Sequence, residues 1–145
     1  MPVRLLTIQH EPTGGDLARR LWTSLGPRAR RADAVEEADS AIVVLSGGAL
    51  AAGAASLLQL QATIRSGVPT LFVHSLAMGW EFYGAEHRAA PEAVRAAIAA
   101  TESMAMRDAD YEHAAMVNEL LKRCERRVRA RAGTAPPPPP SAPRP

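Results

Sequence analysis

Two short runs of this chain, residues 41–45 (AIVVL) and Thr70–His74 (TLFVH), are apolar at almost every position. A strand that is apolar on both faces has both faces covered, as in a parallel sheet flanked by helices. Between the runs lie a glycine turn, Ser46-Gly47-Gly48, a stretch of helical composition, and Gly67-Val68-Pro69. Strand, helix and strand in that order form a βαβ unit, which implies an α/β class with a parallel sheet. In open parallel sheets the ligand crevice lies beyond the carboxyl ends of the strands. Ser46, Gly47 and Gly48 after the first run, and His74 with Ser75 after the second, are therefore expected at the rim of any site.

The rest of the chain can be fitted around this unit. Val3–Ile8 (VRLLTI) reads as a first strand that ends before Pro12, which has no backbone N–H to donate. Thr13-Gly14-Gly15-Asp16 opens a helix whose apolar face is Leu17, Ala18, Leu21, Trp22 and Leu25, and Gly26-Pro27 closes it. Residues 28–39 must hold whatever joins that helix to the central unit. A brief polar strand at 28–31 would sit at a sheet edge, and 32–38 suits a short acidic helix. Pro91-Glu92 begins another helix, with Val94, Ala97, Ile98 and Thr101 on its buried side, and 103–106 suits a weak last strand. The helix over 110–131 carries an apolar stripe of Ala114, Val117, Leu121, Cys124 and Val128. The expected architecture is thus a four- or five-stranded sheet in a domain over residues 1–132. Residues 133–145 (GTAPPPPPSAPRP) lack side chains able to form a core, and are expected to be a disordered, polyproline-like tail.

Composition narrows the function classes. The hydrophobic fraction of 47% rests heavily on alanine, and the net charge of +2 hides an asymmetry. Residues 122–145 carry seven cations against one carboxylate, whereas the remainder is net acidic. No aromatic residues interleave with those cations, so a solvated helix end is expected rather than a nucleic-acid surface. Cys124 stands alone, which excludes an internal disulfide and fits a reducing cytoplasm. No apolar run is long enough to span a bilayer and the amino terminus lacks a signal-peptide layout, so a cytoplasmic location is expected.

Several residues are candidates for a site. Gly47 and Gly48 can bring a ligand close to the backbone, with amides near the following helix start receiving an anion. Neither GxGxxG nor GxxxxGK[ST] is present, and a tight strand exit needing positive φ explains the pair equally well. His10, Gly14 and Gly15 follow the first strand on the same sheet edge. His10 can serve as a base or hydrogen-bond a ribose, and the glycines can make room for a nucleotide, while an ordinary polar loop is the other reading of the same residues. His10 and His74 can face one crevice, but two histidines without clustered Cys, Asp or Glu do not make a metal site. No HExxH, CxxC or GxSxG occurs, and no metal is expected. The aromatic group Trp80, Phe82 and Tyr83 suits a core patch or, if exposed, a partner surface.

With these residues in view, the chain resembles Toll/interleukin-receptor-type (TIR) domains and, over the same stretch, nucleoside deoxyribosyltransferase-like proteins. The resemblance is carried by EADSAIVVLS at 37–46 and GVPTLFV at 67–73. It implies a flavodoxin-like three-layer sandwich. Enzymatic members of both families cleave N-glycosidic bonds with a glutamate on the helix between these strands. The matching position here is Gln59, whose amide is neutral and a poor nucleophile, and alanines at 51, 52, 54 and 55 stand where enzymatic TIR domains have a tryptophan-cysteine pair. The resemblance therefore implies a degenerate member: a bacterial intracellular signalling or interaction module with a protein partner or a second copy. It would have no cofactor of its own and no assigned catalytic residue, and would keep a vestigial crevice for NAD or another nucleotide. The alternative it implies is an enzyme acting on the N-glycosidic bond of NAD or a nucleoside, with Glu11 or Glu81 supplying the charge. Receiver domains of phosphorelays share the topology, but they need an aspartate where Ser46 stands.

Overall fold

The computed structural model describes residues 2–133. Five parallel strands form one sheet: β1 (Val3–Ile8), β2 (Ala29–Arg31), β3 (Ser40–Leu45), β4 (Thr70–His74) and β5 (Met104–Ala105). Their spatial order is β2-β1-β3-β4-β5, consistent with a flavodoxin-like fold. The α-helices are α1 (Gly15–Leu25), α2 (Ala55–Ser66), α3 (Ala85–Ala89), α4 (Glu92–Ala100) and α5 (Asp110–Gly133).

The central pair is as the apolar runs require. All six residues of β3 are buried, and β3 runs parallel to β4 with Ala41 opposite Thr70 and Leu45 opposite His74. Alternate side chains go to opposite faces. Leu6, Ile8, Val43, Leu45 and Phe72 pack with Leu57 and Leu60 of α2 and with Val94 and Ile98 of α4. On the other face Leu5, Ile42, Val44, Leu71 and Val73 pack with Leu21 and Leu25 of α1 and with Val117, Leu120 and Leu121 of α5.

Four expectations need correction. The segment 32–38 is not an α-helix; only a single 3-10 turn forms at Val35–Glu37. The chain has just residues 32–39 to pass from β2, on one side of β1, to β3 on the other, which is too little for a helical crossover. α2 begins only at Ala55, so the glycine turn is separated from the helix by further turns. Gly48 and Gly53, at φ 92° and 79°, break the alanine-rich stretch. In α4, Val94 and Ile98 are buried while Ala97 and Thr101 are only half-buried. In α5 the buried set is His113, Met116, Val117, Leu120, Leu121 and Cys124; Ala114 is exposed and Val128 half-buried. That stripe is wider than the narrow seam the spacing suggests, because α5 lies against both the sheet and α1.

The short strand expected near 103–106 is β5, and the edge strand expected near 28–31 is β2, with Arg30 and Arg31 exposed. The proline-rich tail expected from 133 onward lies outside the described residues, apart from Gly133, which ends α5. Among the described residues no helix is long and apolar enough to cross a membrane.

Candidate functional site

The carboxyl ends of β1 and β3 meet where the strand order reverses direction, the position at which open α/β sheets bind ligands. Five of the eight candidate residues converge there: His10, Gly14, Ser46, Gly47 and Gly48. Hydrogen bonds tie them to one another and to neighbouring loops. Ser46 is fully buried, and its hydroxyl lies 2.8 Å from Thr13 Oγ1. Thr13 Oγ1 also donates to the Gly47 carbonyl at 2.8 Å. The Gly14 amide donates to the His10 carbonyl at 2.6 Å, closing the turn that leads from β1 into α1. The Gly47 amide donates to Met78 O at 2.9 Å, which ties the β3 exit to the loop after β4.

Gly48 requires its missing side chain twice over. Its φ of 92° lies in the left-handed region, and a Cβ there would come within 2.7 Å of His10 Nε2. The His10 imidazole thus rests on the glycine turn, in the space a ligand would use to reach the backbone.

The decisive contact is one with no local signal in the chain. Glu86, at the start of α3, reaches back to the turn, where the Gly48 amide donates to its Oε1 at 2.7 Å and the Leu50 amide to its Oε2 at 3.1 Å. The anion expected at this turn is therefore the protein's own carboxylate. A second carboxylate, that of Glu11, lies against Gly15 at the first turn of α1, where the helix dipole favours negative charge. The amides of the β3 exit are thus occupied from within, whereas Glu11 and Gly15 border a cavity of about 440 Å³ with Gln9, Trp22 and Arg31.

Gly15 follows Gly14 as the first residue of α1, and the last two candidates, His74 and Gln59, lie elsewhere. His74 ends β4, and its Nδ1 is 2.7 Å from Ser103 Oγ, with its ring and that of Phe82 in a T-shaped arrangement at 4.8 Å between centroids. It borders a groove of about 660 Å³ along β5 and α5, with Met104, Arg107 and Arg123, and not the space at His10. Burial, and secondarily Arg107, hold its pKa below the usual histidine value. Gln59 is exposed on the outer side of α2. Glu11 and Glu81, the alternative carboxylates, are exposed as well. Cys124 is buried, and burial pushes its thiol pKa up to about 11, which removes it as a nucleophile. Among the described residues, no three His, Cys, Asp or Glu side chains are grouped to hold a metal ion.

No protein-family model matches the chain, and no curated protein matches it to a significant degree. What the site can do therefore rests on its own geometry. The Gly48 and Leu50 amides already have the Glu86 carboxylate as their acceptor, and the side chain at position 59 is a neutral, exposed amide.

The aromatic group after β4 divides by burial. Trp80 is buried against Phe82 and His87, while Tyr83 is 77% exposed. Near it, α2 and α3 border an apolar groove of about 570 Å³ whose walls include Leu50, Leu57, Leu58, Ala85 and Pro91. Leu58 protrudes there at 59% exposure.

Proposed function

We propose that this chain is a TIR-like signalling or interaction module of a bacterial intracellular pathway, without catalytic activity. It keeps the outline of a nucleotide crevice that its own side chains occupy. The observation that carries this reading is the Glu86 carboxylate bonded to the Gly48 and Leu50 amides. Gln59, neutral and exposed, supports it further. The partner is a protein, a second copy of this chain being the simplest. The exposed Leu58 beside an apolar groove supplies both a protrusion and a recess on one surface, as a self-complementary interface needs.

The test is incubation of the full chain with NAD and, separately, with deoxynucleosides, followed by chromatography. The reading expects no product. Turnover that disappears in Glu11→Ala or Glu81→Ala would replace it with the N-glycosidase reading. Light scattering after size exclusion tests the partner: dimers for the wild type and monomers for Leu58→Glu are expected, and a wild type that stays monomeric at all concentrations argues against self-association.

A further inference from the structure

A cavity of about 670 Å³ opens on the α3–α4 face, away from the β1–β3 crevice. Its size lies within the range of small-molecule sites. Phe82, Tyr83, His87 and Ile98 supply its apolar and aromatic lining, and Arg88 and Arg95 bring two guanidinium groups to it. Among the described residues neither arginine has a carboxylate within ion-pair distance, whereas Arg19, Arg20, Arg123 and Arg126 each do. Arg95 is anchored through Nε to the Ala90 carbonyl at 2.9 Å, which leaves its two Nη groups for other acceptors.

The aromatic side of the cavity is held at a conformational cost. Tyr83 has φ 61°, alone among the non-glycine residues described. Such backbone persists only where surroundings enforce it, and it concentrates at binding sites. Here the Tyr83 amide donates to His87 Nδ1 at 2.9 Å, and the two rings stack at 5.2 Å and 26°. The bond needs Nδ1 unprotonated, and burial, followed by the nearby Arg95, keeps the His87 pKa below its ordinary value. The result is a neutral, stacked aromatic wall with an exposed tyrosine at its edge, in a cavity that two arginines without a carboxylate partner also line.

We propose that this cavity binds a small aromatic oxyanion, its ring against Phe82 and Tyr83 and its phosphate or carboxylate between Arg88 and Arg95. Ring stacking supplies contact area, and a guanidinium pairs with either head group through charge-assisted hydrogen bonds. The proposal is independent of whether the β1–β3 crevice is vestigial.

The experiment is an amide-resolved NMR titration of the full chain with phenyl phosphate. Parallel titrations with phenylacetate, inorganic phosphate and phenol separate the head group from the ring. Saturable shifts at Tyr83, His87, Arg88 and Arg95 are expected with phenyl phosphate, with a Kd of order 1 mM for so small a ligand. Phenylacetate should bind at the same residues, and phosphate or phenol alone at least about tenfold more weakly. Arg88→Gln and Arg95→Gln should each weaken phenyl phosphate by about tenfold. Tyr83→Gly should weaken it while leaving the melting temperature equal or higher, since glycine accepts the positive φ without strain. No saturable shift at these residues, a Kd unchanged in both arginine variants, or equal affinity for phosphate alone would each overturn the proposal.

Discussion

Replacing Glu86 by alanine removes the acceptor of two backbone amides, Gly48 at 2.7 Å and Leu50 at 3.1 Å. Hydrogen bonds to a charged acceptor contribute about 1.5–3 kcal/mol each. Glu86 is half-buried, so water can reach the amides after truncation and restore part of that. A net loss of about 2–3 kcal/mol is expected, equivalent to a fall in Tm of roughly 6–12 °C for a domain of this size. Alanine is an excellent helix former, so the loss cannot come from α3 propensity. Glu86→Gln keeps one acceptor oxygen and should lose only about 1 kcal/mol. The variant should also gain a property. With the carboxylate gone, the amides are open to a free anion, and phosphate at about ten times its Kd would restore about 1.4 kcal/mol. Thermal melts by circular dichroism, in phosphate and in chloride of matched ionic strength, read both effects. Phosphate stabilises proteins generally by exclusion from their surface, so the comparison is with the wild type under the same conditions. The reasoning is refuted if Glu86→Ala melts with the wild type, or if phosphate raises both melting temperatures equally.

Three further outcomes follow from the packing and the titrating groups. Leu120 is fully buried between α5 and the sheet, and Leu120→Ala should cost about 2.5–4 kcal/mol in denaturant unfolding; a loss below about 1 kcal/mol would mean α5 is not docked as described. Cys124, with its pKa pushed up to about 11, should react with a disulfide reagent near pH 8 about 100-fold more slowly in the folded protein than in the denatured chain; equal rates would place the thiol at the surface. His74, His87 and His113 all titrate below their ordinary value of 6.5, chiefly through burial and secondarily through Arg107, Arg95 and Arg20. The unfolded chain then takes up protons first, so their contribution is complete above the unfolded pKa and is lost as pH falls below it. The Tm should decline from about pH 7.5 to about pH 5.5, less steeply in His113→Gln; a flat profile would contradict the burial of these rings.

What could be read from the chain was whatever burial writes into consecutive residues. AIVVL and TLFVH announce a buried parallel pair because no solvent-facing strand is apolar throughout. β2 was legible only as an option: Arg30 and Arg31 are exposed at the sheet edge, so nothing apolar marks them as a strand. The acidic stretch before β3 has helical composition, but the distance it must cover in so few residues overrides that preference. In α5, periodicity located the helix and missed Met116 and Leu120, because a helix lying on both a sheet and a neighbour buries more than one stripe. The candidate site was legible by topology alone, which places His10, Gly14, Ser46, Gly47 and Gly48 at one sheet edge. The group that fills it was not. Glu86 is 38 residues from Gly48, in a five-residue helix, and no local pattern links them. His74 was placed correctly at a strand end, but its side chain belongs with Ser103 on the far side of β3.

If the Glu86 carboxylate keeps the amides of the β3 exit from a nucleotide, an amide-resolved NMR titration of the full chain with NAD should leave the Gly14, Gly48 and Leu50 signals unmoved, and NAD should stay intact after prolonged incubation. Saturable shifts at those three amides, accompanied by release of nicotinamide, would show instead that the crevice takes up and cleaves the dinucleotide.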